Sequence, residues 1–423
     1  MIHLSSLVRD LKAESAFTVL ALARALKAKG KDVVELEIGD SPFPSTPAAK
    51  AAGIAAIEAN QTGYGPSLGL PEFRASAARF VVEEFGIPAG AENVVVASGA
   101  KPFEQYFAEA LLEPDDGVLI FSPHFPTYEP NLARVGARPV IEPLRSVDSF
   151  RPRAEVVARF LKTDARPRAI WLNFPHNPTG GVAERADLEA IADLVRGSDV
   201  MIFSDEPYCH MVWGEHARHH SIASLPGMLD HTLAAYTFSK SYSMSGWRIG
   251  FAVGPVPLVE AVGKLINTTA SCSPPFVQKA AQAALEHDLE TRELYMARFQ
   301  RKVERLSAGL AQIEGIKVMP PVGTFYVFPD VRAICNRLGL TSHGLALYLL
   351  EGADDQFGVA CLGGECFGQA GAGFLRFSCA EPDERIEQAL AFLPDAFSRT
   401  SRVAAFRREH PALALHQPYL EVI

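Results

Sequence analysis

Residues 237–254, "TFSKSYSMSGWRIGFAVG", set one primary amine, Lys240, among hydroxyl-bearing and small side chains, with the Arg248 guanidinium further on. An amine among other cations, screened from water, gives up its proton more readily and becomes a nucleophile. A planar guanidinium clamps a phosphate or carboxylate through parallel hydrogen bonds. The plain alternative is a solvated loop carrying two cations, and the rest of the chain must decide between the two.

Three other stretches end apolar runs in polar groups. "NFPHNPTGG" (173–181) offers two amides, Asn173 and Asn177, and "SDEPYCHMVW" (204–213) ends its run at Asp205 with Tyr208 following. A carboxylate closing an apolar run is costly unless it meets a cation or accepts hydrogen bonds. "VVVASGAKPFEQYF" (94–107) passes through Ser98, Gly99 and Ala100 into a helix that starts at Pro102, a residue favoured in the first turn. Bare backbone N–H groups at such a turn suit a phosphate, although many strand-to-helix turns carry glycine only for packing.

Seven β-branched, apolar runs between residues 94 and 254 must position these groups: "NVVVASG", "GVLIFSP", "ARPVIEPL", "RAIWLNF", "DVMIFSDE", "HTLAAYTFS" and "RIGFAVG". Helical patterns separate most of them, which predicts an α/β fold with a mostly parallel seven-stranded sheet covered by helices. In such sheets ligands bind beyond the carboxyl ends of the strands. Asn173, Asp205 and Thr237 all lie at that edge. Residues 1–45 read as a helix and a proline-rich extended entry, joining a smaller α+β domain over 291–423; residues 46–290 form the large domain. A charged helix over 290–313 is expected to lead to short strands within "GIKVMPPVGTFYVFPD" and "GFLRFSCA".

Composition narrows the partners. The 423 residues carry a net charge of −9, from 40 basic and 49 acidic side chains, with 48% hydrophobic and 21% charged residues. No basic block suits a nucleic-acid backbone, and no uninterrupted apolar run is long enough to span a membrane. The N-terminal stretch is charged every few residues and lacks the apolar core of a signal peptide, so a cytoplasmic protein is expected. Six cysteines show neither a CxxC pair nor metal-ligand spacing, and no metal is expected.

An amine nucleophile, a phosphate cradle, a carboxylate for a cationic ring nitrogen and amide and phenol groups for a ring oxygen are together what pyridoxal 5′-phosphate requires. The order "SGAK … NPTGG … SDEPY … SKSYSMSGWRIG … FLRFS" resembles class I/II aminotransferases of PLP fold type I, the aspartate-aminotransferase-like group. The likeness extends from "LEIGDSPFPSTP" and "TGYGPSLGLPEFR" to "GFLRFSCA", about nine tenths of the chain.

The resemblance implies that Lys240 forms the internal aldimine and shuttles the substrate α-proton, and that Arg248 clamps the cofactor phosphate. Thr237, Ser239, Gly99, Ala100 and Lys101 match the rest of the phosphate cradle. Asp205 matches the carboxylate that keeps the pyridine nitrogen protonated, Asn177 and Tyr208 the donors to the ring oxygen, and Phe125 the stacking aromatic. Arg376 and Gly39 match the site for the substrate α-carboxylate. Tyr64 matches a tyrosine that reaches the neighbouring subunit's cofactor phosphate, implying a homodimer with shared active sites.

The function so implied is transfer of the amino group of an L-amino acid to a 2-oxo acid by a ping-pong mechanism. Relatives with the same cofactor motifs, such as C–S lyases and aminocyclopropane-carboxylate synthases, eliminate or cyclise instead. A regulator with an aminotransferase-like sensor domain is disfavoured by the acidic chain and by the motifs starting so early. Glu109, if it faces the pocket, would repel a distal carboxylate and favour neutral, aromatic or basic substrates; the 268–276 segment "TTASCSPPF" is a second place where side-chain specificity could arise.

Overall fold

The computed structural model describes residues 2–11, 14–214 and 218–420. The first strand, β1 (Asp32–Glu35), follows a helix over Ser15–Ala28. Seven strands then match the seven apolar runs: β2 (Val94–Ala97), β3 (Gly117–Ser122), β4 (Arg138–Pro143), β5 (Pro167–Asn173), β6 (Met201–Asp205), β7 (Thr232–Thr237) and β8 (Gly250–Val253). They form one sheet in the order β2-β8-β7-β6-β5-β3-β4. Only β8 runs against its neighbours; the other pairings are parallel. Every residue of β2, β3 and β8 is buried, which explains why these runs are continuously apolar rather than alternating.

Four short strands follow: β9 (Tyr326–Val327), β10 (Phe357–Ala360), β11 (Leu362–Gly363) and β12 (Leu375–Ser378). Strand β1 pairs in parallel with β10, while β12 lies antiparallel between β11 and β9. Within 315–330 the expected strands shrink to β9 and isolated bridges, Lys317 with Asp330, Gly323 with Val212 and Asp330 with Phe374. Pro320 and Pro321 interrupt this stretch, and neither has an N–H to give to a ladder.

The helix Ser15–Ala28 buries Ala16, Val19 and Ala23 on one face. That face joins a core cluster with Leu119 and Phe121 of β3, Leu172 of β5, and Leu350 and Ala360 from the C-terminal part of the chain. The N-terminal helix is thereby wedged between the large sheet and the small ones, with its first residues at the sheet's carboxyl edge. The helix after β2 spans Lys101–Leu111, one residue earlier than expected, with Pro102 in its first turn.

Candidate active site

A cavity of about 470 Å³ opens at the carboxyl ends of β5, β6 and β7. Asn177, Asp205, Tyr208, Thr237, Ser239, Lys240 and Arg248 all line it, with Ala100, Lys101 and Phe125 on the wall beyond β2 and β3. Gly39 and Arg376, far apart in the chain, close the opposite side. The Lys240 ammonium donates to the Gly39 carbonyl at 2.5 Å and lies 5.9 Å from the Tyr208 ring centre and 5.6 Å from that of Phe325.

The anion end is built from backbone. Arg248 sits in the left-handed region (φ 54°), and its guanidinium donates to the carbonyls of Ser245 (2.9 Å) and Ser98 (3.0 Å). Gly99 has φ +97°, and a Cβ there would stand 2.7 Å from the Arg248 guanidinium. Only glycine permits that close approach. The Thr237 and Ser239 hydroxyls are 2.9 Å apart at the same end, and Thr237 Oγ1 also accepts from the Ser239 N–H.

Adjacent carboxylates divide their tasks at the end of β6. Glu206 points inward and is saturated, accepting from Ser204, Ser221 and His219 at 2.7 Å each and from Tyr236 at 2.8 Å. Asp205 faces the cavity and is held by the Tyr128 hydroxyl at 2.6 Å and more loosely by Asn173 Nδ2 at 3.4 Å. Burial pushes the Asp205 carboxyl up, opposed by the Tyr128 hydrogen bond and by Lys101 and Lys240. A buried acid held away from ionisation is a place for a cationic ligand atom.

Arg376 lies on β12 and is only 3% exposed, so it is no ordinary surface arginine. Its Nη1 donates to Asn177 Oδ1 at 3.1 Å, and its Nη2 donates to the Glu37 carbonyl. The guanidinium lies 4.2 Å from the Tyr326 ring centre. Tyr326 also bonds the Tyr208 hydroxyl at 3.1 Å, and its hydroxyl occupies the space a Cβ on Gly39 would need. That is why position 39 is glycine.

The family model for aminotransferase class I and II matches residues 31–393. The chain belongs to this family. An arginine–pyruvate transaminase of Pseudomonas aeruginosa is 35% identical over 370 residues, covering 87% of this chain and 90% of the relative. The aspartate aminotransferase of Thermus thermophilus solved with maleate is 29% identical, with a TM-score of 0.86 over 94% of this chain and 100% of that one. An aromatic aminotransferase of Pyrococcus horikoshii gives 32% and a TM-score of 0.82, covering 92% and 100%.

This aminotransferase is therefore PLP-dependent and of fold type I, and its own residues fit the cofactor. The buried carboxyl of Asp205 suits a cation, the Gly99–Arg248 approach an anion, and Lys240 brings an amine to the same cavity. Among the described residues no cluster of His, Cys, Asp or Glu could hold a metal, and no helix is long and apolar enough to cross a membrane.

Several neighbours were invisible to sequence reasoning. Tyr128 had a signal, lying three positions after Phe125 in "SPHFPTY", but nothing local aims its hydroxyl at Asp205. Glu109 does not reach the cavity; its carboxylate accepts from Gln105 at 2.6 Å. Glu104 on the same helix lines the cavity instead, with Oε2 accepting from Thr127 (2.5 Å) and Asn131 (2.9 Å). Burial and the nearby Asp205 push its carboxyl well above the usual range. The 268–276 segment adds Pro274 and Phe276 to a second, more open cavity beside Arg248. Gly99 does not itself line the main cavity but packs against the Arg248 guanidinium, which does, and Tyr64 stands outside it, 92% exposed.

Behind Arg376, Glu37 is fully buried and neither carboxylate oxygen has a partner. Burial raises it from 4.5 to about 7; Glu35 and Glu381 add to the rise, and Arg376 opposes it. An acid raised on folding contributes its full stability below the unfolded value and loses it as pH climbs through the folded one. Stability should therefore fall between pH 4.5 and about 7 through this group, by about 3 kcal/mol at most. Glu37→Gln should flatten that slope in urea melts at stepped pH; a slope unchanged by the substitution would remove Glu37 as its source.

Proposed function

We propose that this aminotransferase moves the amino group of an L-amino acid to a 2-oxo acid with Lys240 as the group that carries the reacting proton. The observation behind this reading is that Asp205, Lys240 and Arg376 share one cavity although they come from β6, the turn after β7, and β12. Pyridoxal 5′-phosphate, when bound, supplies a conjugated ring that accepts the electron pair left when the substrate's α-proton departs.

The chain's residues do the rest. Arg248, Thr237, Ser239 and the N–H groups of Gly99 and Ala100 would hold the phosphate, while the Lys101 ammonium is paired with Glu14 and stays out of that cradle. Asp205 would keep the ring nitrogen protonated, supported by the Tyr128 hydroxyl. Asn177 and Tyr208 would donate to the ring oxygen, and Phe125 would cover one ring face. Arg376, held flat by Asn177 and Tyr326, would fix the substrate α-carboxylate beside Gly39. That fixes the α-carbon where the Lys240 amine removes and returns its proton.

An amino acid given without oxo acid tests the reading. Each site should release one equivalent of 2-oxo acid and then stop, with loss of the cofactor's visible absorbance. Sustained release of pyruvate or ammonia would mean an elimination enzyme instead.

We infer that the working form is a cytoplasmic homodimer whose sites are shared, each chain comprising a large domain (46–290) and a small one built from both ends. The β1–β10 pairing supports that small domain. The exposure of Tyr64 and the open cavity beside Arg248 support a crossing loop. Lys240→Ala and Tyr64→Ala chains should each be poor enzymes alone. After subunit exchange, a shared site predicts hybrids with one intact site, so an equal mixture should regain about a quarter of full activity under random pairing. No recovery despite proven exchange would defeat the shared site.

A further inference from the structure

Among the described residues four cations line the cavity: Lys101, Lys240, Arg248 and Arg376. On the function proposed above, on which this inference rests, the last three are engaged by the reacting atoms, the phosphate and the α-carboxylate. Lys101 alone remains to meet a substrate side chain. It is not available, because its ammonium is 2.6 Å from the Glu14 carboxylate. Glu14 comes just before the N-terminal helix, whose buried Ala16 and Val19 anchor that end at the cavity mouth.

The remaining surroundings are also unsuited to a second carboxylate. Asp40 lines the mouth, already accepting from the Ser245 hydroxyl at 2.6 Å and the Ser41 N–H. A distal carboxylate would have to separate Glu14 from Lys101 and then lie beside two anions. Glu104, on the helix that carries Lys101, adds another acid to the wall, and rings flank the ion pair: the Phe125 ring centre is 5.0 Å from the Lys101 ammonium and that of Phe17 5.9 Å, with Ala16 and Ile38 lining the same cavity.

We propose that the Glu14–Lys101 ion pair sets the side-chain specificity of this site, excluding dicarboxylic substrates and, with the Phe17 and Phe125 rings, selecting aromatic ones. The pair acts through charge: Glu14 neutralises the one cation that a second carboxylate could use. Unpairing Lys101 should therefore reverse the exclusion without altering the aromatic walls.

The test is binding of unreactive acids to the PLP-loaded enzyme, followed by calorimetry. Wild type should bind 3-phenylpropionate at least about tenfold more tightly than succinate, the discrimination expected when one partly exposed charge must be displaced. In Glu14→Gln, succinate should gain about tenfold, while 3-phenylpropionate changes little. The double variant with Lys101→Met should lose that gain. Glu14→Ala serves as the second variant if the first is unstable, and must show the same gain. Succinate binding as tightly as 3-phenylpropionate in wild type, or no gain in the Glu14 variants, overturns the proposal. Binding of neither acid by protein that holds its cofactor is a different failure: it removes Arg376 as the carboxylate site, and the proposed function with it.

Discussion

Lys240→Ala should hold pyridoxal 5′-phosphate and transaminate at a rate lower by about 10,000-fold or more, the upper range for one positioned proton-transfer group. The expectation follows from position. Among the described residues the Lys240 ammonium is the one primary amine over the Tyr208 and Phe325 rings, and the other lysine on the cavity wall, Lys101, is tied to Glu14 at 2.6 Å. No neighbouring amine among the described residues is free to substitute. The phosphate cradle of Arg248, Thr237 and Gly99 is untouched by the change, so cofactor retention should survive. Borohydride reduction followed by mass spectrometry should leave cofactor mass on the wild-type peptide containing Lys240 and none on the variant. Turnover near that of wild type would remove Lys240 from the chemistry.

Asp205→Asn should keep its fold and its cofactor and lose roughly 100- to 1,000-fold in rate, the usual cost of removing one strong electrostatic partner of a transition state. The amide preserves the shape of the side chain and can still accept from the Tyr128 hydroxyl, which holds Asp205 at 2.6 Å. What it cannot supply is negative charge for a protonated ring nitrogen. Glu206 cannot stand in, because its oxygens are already engaged by Ser204, Ser221, His219 and Tyr236. The loss should appear in the single-turnover step with amino acid, while PLP affinity measured by dialysis changes far less. An Asp205→Asn enzyme within a few-fold of wild type would take Asp205 out of the site.

The sequence by itself determined the sheet and the polar residues at its carboxyl edge. The seven apolar runs became the seven strands because burial on both faces leaves an uninterrupted hydrophobic signature. Asn173, Asp205 and Thr237 were legible for a related reason: a polar group closing such a run lies at the ligand-binding edge, whatever the rest of the fold does. Motif order then carried Arg376 and Gly39 to the same cavity, which local periodicity could not reach. Tertiary structure alone decided which helix carboxylate enters the cavity. Glu104 and Glu109 share one helix, and only the packing of its Phe103 and Phe107 face turns Glu104 inward. It alone joined Glu14 to Lys101, 87 residues apart, and set the unpartnered Glu37 behind Arg376 across 339 residues. Strand burial is written into neighbouring residues; the meeting of distant charges depends on how whole elements dock, and no local pattern encodes it.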